Sequence, residues 1–346
     1  MMNIESLVRP NIRSMAPYSS ARSEFSGKAS VFLDANESPY DTGFNRYPDP
    51  LQKKLKVEIA NIKHLHPEQI FLGNGSDEAI DLLFRIFCVP GHDNVIAPDP
   101  TYGMYQVCAE INDIEYRKIQ LEEDFALNAS KILESTDSDT KIIFLCSPNN
   151  PTGNSFDTDE MKRILNVFQG IVVIDEAYID FSSQESWINM LSIYPNLVVL
   201  QTFSKAWGQA SIRLGMAFAS PEVIHYFNNV KYPYNVNVLT QNHALEVLQN
   251  KENVKGQILT ILDERLRLSK NLASLSYVMT VYPSDSNFLL LRVKDADSVY
   301  RYLKEQGIIV RNRNTVSLCN GCLRITVGTT AENEMLLWAL NNFRKD

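Results

Sequence analysis

The chain has 346 residues, 45% of them hydrophobic and 21% charged, which is the balance of an ordinary globular protein with one large domain or two parts sharing a core. A formal net charge of −8 argues against non-specific binding to nucleic acid or to an anionic membrane, while leaving room for a small anionic substrate held by local arginines. Met1 to Ser14 contain no apolar stretch of signal-peptide length and no later run reaches transmembrane length, so a cytoplasmic protein is expected.

From Ile70 onward, short apolar runs alternate with helical patterns. Ile70-Phe71-Leu72 leads into an amphipathic stretch from Glu78 to Cys88, Asn94 to Ala97 precedes Thr101 to Ile111, and Lys141 to Leu145 precedes Asp157 to Phe168. Ile171 to Ile174, Val198 to Leu200 and Leu214 to Ala219 complete the predicted strands. Their hydrophobicity is continuous rather than alternating, which predicts burial on both faces: an α/β fold with a mostly parallel sheet layered by helices. After about Tyr234 the pattern changes to polar helices between Val238 and Ser274, then Phe288 to Val293, a helix near Val299 to Gln306, strands near Ile308 and Leu323, and a last helix from Glu332 to Phe343. The predicted division is a large domain over 41–235 and a smaller α+β domain over 236–346, joined by the N-terminal segment 1–40.

In an open parallel sheet, ligands bind at the carboxyl ends of the strands, and several motifs fall there. Gly73-Asn74-Gly75-Ser76-Asp77-Glu78 joins a strand to a helix and suits an anion on backbone N–H groups, although Asp77 and Glu78 are equally explained as acids complementing the helix dipole. Tyr102, in Pro100-Thr101-Tyr102-Gly103, is placed to stack on a flat ring, with a core tyrosine as the plainer alternative. Ser147-Pro148-Asn149-Asn150-Pro151-Thr152-Gly153 reads as a rigid turn presenting an amide, or simply as a loop. Ile174-Asp175-Glu176 ends an apolar run as in P-loop ATPases, but the chain has no G-x-x-x-x-G-K-[ST] element, which disfavours that reading; the competing role for Asp175 is a carboxylate beneath a pyridine ring.

Lys205, in Thr202-Phe203-Ser204-Lys205 with Arg213 eight positions on, fits a Schiff-base amine whose neutral form is favoured by burial and a nearby cation. Taken alone it also fits a lysine snorkelling from a strand end. Five cysteines are scattered through apolar segments; Cys319 and Cys322 form a CxxC without a second pair, so reduced thiols are expected and no metal site.

Together the motifs GNGSDE, PTYGMY, SPNNPTG, IDEAYIDF, TFSKAWG with RLGMA, and GCLRITVGT resemble the fold-type I pyridoxal-phosphate aminotransferases, in the branch that acts on histidinol phosphate, over nearly the whole chain. The resemblance implies pyridoxal 5′-phosphate as cofactor and transamination between L-histidinol phosphate and 2-oxoglutarate. It makes Lys205 the attachment lysine and general base, Asp175 the partner of the ring nitrogen, Asn150 and Tyr178 the partners of the ring oxygen, and Tyr102 the stacking ring. Ser76, Asp77, Thr202, Ser204 and Arg213 would hold the cofactor phosphate. Tyr47, in Asn45-Arg46-Tyr47-Pro48, would reach the partner subunit's cofactor, implying a homodimer.

Tyr18, Arg311 and Arg324 match the family's substrate-binding positions, with Tyr18 in a segment Pro17-Tyr18 followed by Ser20-Ala21-Arg22. Arg313 is a departure that adds a positive charge near Arg311; Trp207 and Gln209 to Ile212 are others. The neighbouring alternatives are a threonine-phosphate decarboxylase or an aromatic aminotransferase. A non-catalytic cofactor-binding regulator would need a DNA-binding module, and no residues are left over for one.

Overall fold

The computed structural model describes residues 3–16, 18 and 29–343. In chain order its main elements are Pro10–Arg13 (α1), Lys53–Lys63 (α2), Ile70–Asn74 (β1), Gly75–Phe87 (α3), Asn94–Asp99 (β2), Met104–Ile111 (α4), Glu115–Gln120 (β3), Ala129–Glu134 (α5), Thr140–Cys146 (β4), Thr158–Val167 (α6), Ile171–Asp175 (β5), Leu197–Thr202 (β6) and Leu214–Phe218 (β7). There follow Pro221–Val230 (α7), Val238–Gln249 (α8), Lys251–Ala273 (α9), Val278–Val281 (β8), Phe288–Val293 (β9), Ala296–Glu305 (α10), Arg311–Asn312 (β10), Cys322–Thr326 (β11) and Thr330–Asn342 (α11).

Seven strands form one sheet in the order β1-β7-β6-β5-β4-β2-β3. The run from β6 to β3 is parallel, and β7 lies antiparallel to both β6 and β1. Side chains alternate across a strand, and here both sides are apolar. Ile171 and Val173 join Phe84, Phe87 and Phe144 in one core, while Val172 and Ile174 join Leu145, Val199 and Phe203 in the other. The next residue in that alternation, Asp175, therefore points into the first core at its upper edge.

A separate antiparallel sheet, β10-β11-β9-β8, packs Leu289, Leu291, Leu323 and Ile325 against Leu268 and Leu272 of α9 and against Leu303 and Leu336 of the helices beside it. Two features differ from the expected pattern. The strand predicted near Ile308 begins only at Arg311. Ile4, Val8 and Ile12 pack into the core beneath α3 and α7 of the large sheet, and Arg9 N–H donates to the carbonyl of Ile86 at 3.0 Å, so this part of the N-terminal segment does not join the smaller unit. Among the described residues no helix is long and apolar enough to cross a membrane.

Candidate active site

The carboxyl ends of β2, β4, β5 and β6 open into a cavity of about 850 Å³, closed on one side by the four-stranded sheet. The first core's alternation delivers Asp175 to its floor, 2% exposed. Asp175 Oδ2 accepts the Tyr105 hydroxyl at 2.7 Å and Oδ1 accepts the N–H of Ala177 at 3.1 Å. Burial pushes this carboxyl up to about 6, against the opposing pull of those two hydrogen bonds. An ionised carboxylate so placed is short of positive charge.

β6 ends at Thr202, and the turn after it carries Lys205 into the cavity. As a residue it is exposed to the cavity, and its amine lies 5.5 Å from the centre of the Tyr178 ring. Desolvation first, and then the positive charge of Arg324, lower its pKa from the ordinary lysine value. The same chemistry that costs a buried cation makes a neutral amine available. Tyr178 is itself buried, which pushes its hydroxyl above the usual phenol range.

Beside this pair lies a cup made where α3 begins. Gly75 has φ +72°, a conformation that costs a side-chain-bearing residue strain, and a Cβ there would stand 2.5 Å from an Arg213 nitrogen. A Cβ on Gly215 would stand 2.0 Å from the backbone nitrogen of Ser76. These two glycines let β7 and the helix N-terminus close on each other, with Gly75 N–H donating to the Arg213 carbonyl at 2.6 Å. The leading N–H groups of a helix lack intrahelical acceptors, so the cup suits an anion. Around it, Arg213 Nη2 pairs with Asp77 at 3.1 Å and Nη1 donates to Ser204 Oγ at 3.4 Å, while Ser204 N–H donates to Thr202 Oγ1 at 3.0 Å. Tyr102 donates its hydroxyl to Asp77 at 3.0 Å and meets Tyr105 edge-on.

The opposite wall comes from the small sheet. Arg311, Arg313 and Arg324 all line the cavity. Arg324 Nη1 donates to Asn150 Oδ1, and its guanidinium lies 5.1 Å from the centre of the Phe288 ring.

The structure thus brings together Ser76, Asp77, Tyr102, Asn150, Asp175, Tyr178, Thr202, Ser204, Lys205, Arg213, Arg311 and Arg324. Two expected residues stand apart in the single chain. Tyr18 is 70% exposed and outside the cavity; Tyr47 is half exposed and stacks on Tyr234 with ring centres 4.4 Å apart. Pro17, Ser20, Ala21 and Arg22 lie outside the described residues.

Three things escaped the sequence. Tyr105 is the partner of Asp175, signalled only by its position one helical turn after Tyr102. Of the paired asparagines, Asn149 is fully buried and ties the loops together, accepting from Thr101 at 2.8 Å and donating to Pro100 O and Thr152 Oγ1 at 3.0 and 2.8 Å. Its neighbour Asn150 alone of the two lines the cavity. Arg313 shares the cavity with Arg311 instead of replacing it. All five cysteines are buried free thiols, and only Cys146 lines the cavity.

The family model for aminotransferase class I and II matches residues 29–340. A histidinol-phosphate aminotransferase from Bacteroides fragilis is 56% identical over 345 residues, covering 99% of this chain and all of the relative. The corresponding protein from Parabacteroides distasonis is 57% identical over 344 residues, with 99% and 100% covered. Among solved structures, histidinol-phosphate aminotransferase from Sinorhizobium meliloti in complex with pyridoxal-5′-phosphate superposes with a TM-score of 0.78 at 23% identity, covering 85% of this chain and 82% of that one.

Proposed function

This chain belongs to the class I and II aminotransferases, and from that premise we propose that it moves the amino group of L-histidinol phosphate to 2-oxoglutarate, giving imidazole-acetol phosphate and L-glutamate in histidine biosynthesis. The observation that carries the substrate is the trio of arginines on one wall of the cavity, facing Lys205 and Asp175 on the other. Histidinol phosphate has no carboxylate beside its amine, so its anchor is the phosphate ester, whose oxygens match the guanidinium fork.

The cofactor is pyridoxal 5′-phosphate, and the residues fit it. Gly75 and Gly215 keep the start of α3 clear for a phosphate, and Asp175 is a buried carboxylate whose close partners are one phenol and one amide. Ser76 and Asp77 through their backbones, with Thr202, Ser204 and Arg213, would hold the phosphate. Tyr102 would cover the ring, and Asn150 and Tyr178 would bond its oxygen. When bound, the cofactor supplies a carbonyl for the substrate amine and a ring that withdraws electrons from the breaking Cα–H bond.

The protein's own part is proton handling and alignment. Lys205, with its lowered pKa, is the covalent anchor; once released, its Nζ takes the substrate's Cα proton and returns it later. Asp175 would stand against the ring nitrogen and hold that nitrogen's proton by charge. A cation brought there offsets the burial that raises its pKa. The arginines fix the substrate so that Cα stands within reach of Nζ.

We further take the enzyme to be a cytoplasmic homodimer in which Tyr47 reaches the partner's cofactor phosphate. Its half-exposed ring outside its own cavity, and the buried free thiols, support those two points.

The test is direct. Purified holoenzyme given L-histidinol phosphate and 2-oxoglutarate should form L-glutamate, and borohydride reduction followed by peptide mapping should label Lys205. Release of carbon dioxide from threonine phosphate, preference for an aromatic amino acid, or label on another lysine would each replace part of this assignment.

A further inference from the structure

Residues 311–314 read Arg-Asn-Arg-Asn, and an extended chain sends alternate side chains to opposite faces. The two amides go one way. Asn312 and Asn314 donate to the two carboxylate oxygens of Asp297, in the first turn of α10, at 2.6 and 3.1 Å. Asn312 Oδ1 accepts the N–H of Asn314 at 2.8 Å, and Asn314 Oδ1 accepts that of Gly321 at 2.7 Å. The two arginines go the other way, and both line the cavity. Arg313 N–H donates to the Cys322 carbonyl at 2.9 Å, carrying the ladder one residue past β10. Arg313 is therefore presented by a backbone pinned on both sides, unlike an arginine that drifts in solvent.

Its surroundings are cationic. Arg311 stands directly opposite Arg324 in the β10–β11 register, where like charges destabilise a strand pair. Arg313 Nε is buried without a hydrogen-bond partner among the described residues. Burial, Arg324 and Arg311 together push the Arg313 guanidinium down to about 10. Three cations held together in this way await an anion of more than one charge. A phosphate monoester carries about −1.5 to −2 at neutral pH, a carboxylate only −1.

The arginines are also ordered along the cavity. The Arg324 guanidinium lies 5.1 Å from the centre of the Phe288 ring, which meets the Tyr178 ring edge-on at 5.2 Å, and Lys205 Nζ lies 5.5 Å from the centre of that same Tyr178 ring, so two packed rings join Arg324 to Lys205.

Resting on the function proposed above, we propose that Arg313 is a specificity-determining residue: with Arg311 it forms an arm that binds the phosphate ester dianion, while Arg324, nearer Lys205, serves both substrates.

The test uses holoenzyme of the wild type, Arg313→Gln and Arg313→Lys. Single-turnover rates are measured with L-histidinol phosphate and, separately, with L-glutamate, and inorganic phosphate is added as a competitor of glutamate. Arg313→Gln should lower kcat/KM for histidinol phosphate by about ten- to a hundred-fold, chiefly through weaker binding, and affect glutamate far less. Arg313→Lys should recover part of the loss, because it keeps the charge but not the planar fork. Inhibition by phosphate should weaken in Arg313→Gln. Equal losses for both substrates, or unchanged inhibition by phosphate, would overturn the proposal. If wild-type enzyme accepts glutamate but not histidinol phosphate, the proposed reaction falls separately. The Arg313 assignment is then decided by phosphate alone: weaker inhibition in Arg313→Gln upholds it and unchanged inhibition removes it.

Discussion

On the wall contributed by the seven-stranded sheet, Arg213 is paired with Asp77, Asp77 also accepts from Tyr102, and Asp175 accepts from Tyr105. On the wall contributed by the four-stranded sheet, Arg311 faces Arg324 across the ladder and Arg313 stands beside them, its Nε without a hydrogen-bond partner among the described residues. Partnered charges are held in one geometry whether or not anything is bound. Like charges gathered on one face are a standing cost that a multiply charged ligand relieves. The first wall is thus suited to a group that stays in place through turnover, the second to one that arrives and leaves.

The largest break in this contrast should come from Lys205. Lys205→Ala removes both the covalent anchor and the proton carrier, and transamination should fall by about four orders of magnitude or more, with fold and cofactor binding retained. Wild-type-like turnover, or borohydride label still incorporated at another lysine, would refute the role. Asp175→Asn should follow, with activity falling by about a hundred-fold or more because an amide cannot hold a ring proton by charge. Near-full turnover in steady-state assay would make Asp175 structural.

On the other wall the effects should be smaller and selective. Losing one charge-assisted contact weakens kcat/KM by about ten- to a hundred-fold. Arg324→Ala should do so in both half-reactions, and Arg311→Ala mainly with histidinol phosphate. Stopped-flow rates for each substrate separate the two patterns, and an Arg311→Ala enzyme with unaltered histidinol phosphate kinetics would remove Arg311 from the subsite.

The smallest effect sharpens the comparison from the stability side. In the protein freed of cofactor, Asp175 is raised from 3.8 to about 6. Between those values the folded state holds a proton that the unfolded state has lost, so stability falls as pH rises through that window. The fully developed penalty above pH 6 is on the order of 3 kcal/mol at most. Asp175→Asn should therefore be the more stable protein at pH 8 and no more stable than wild type below pH 4, by denaturant midpoint. Parallel curves across the range would mean that burial is not what raises this carboxyl.

Much of the first wall was legible because its signals are local. Apolar runs such as Ile171 to Ile174 and Val198 to Leu200 are buried on both faces, and the motif residues follow directly from their ends. β3 was not seen because Glu115 to Gln120 is a polar edge strand, and β8 because Val278 to Val281 is short and half-exposed. The antiparallel course of β7 leaves no mark in its composition, since Leu214 to Phe218 is as buried as its parallel neighbours. Asn149 and Asn150 are adjacent and chemically identical, so only the turn's geometry separates a buried tie from a cavity residue. The orientation of Arg313 depends on Asn312 and Asn314 being taken by Asp297, a contact 15 to 17 positions distant that no motif announces.

The division of labour between the walls is tested most directly by one comparison. Wild-type holoenzyme is mixed in single turnover with L-histidinol phosphate or with dephosphorylated L-histidinol, and the absorbance change of the bound cofactor is followed. If the arginine wall selects the substrate, the phosphate ester should react with kcat/KM about a hundred-fold or more above that of the alcohol, since at least two charge-assisted contacts depend on it. Equal reactivity, or faster reaction with histidinol, would contradict the assignment of that wall to the substrate's phosphate.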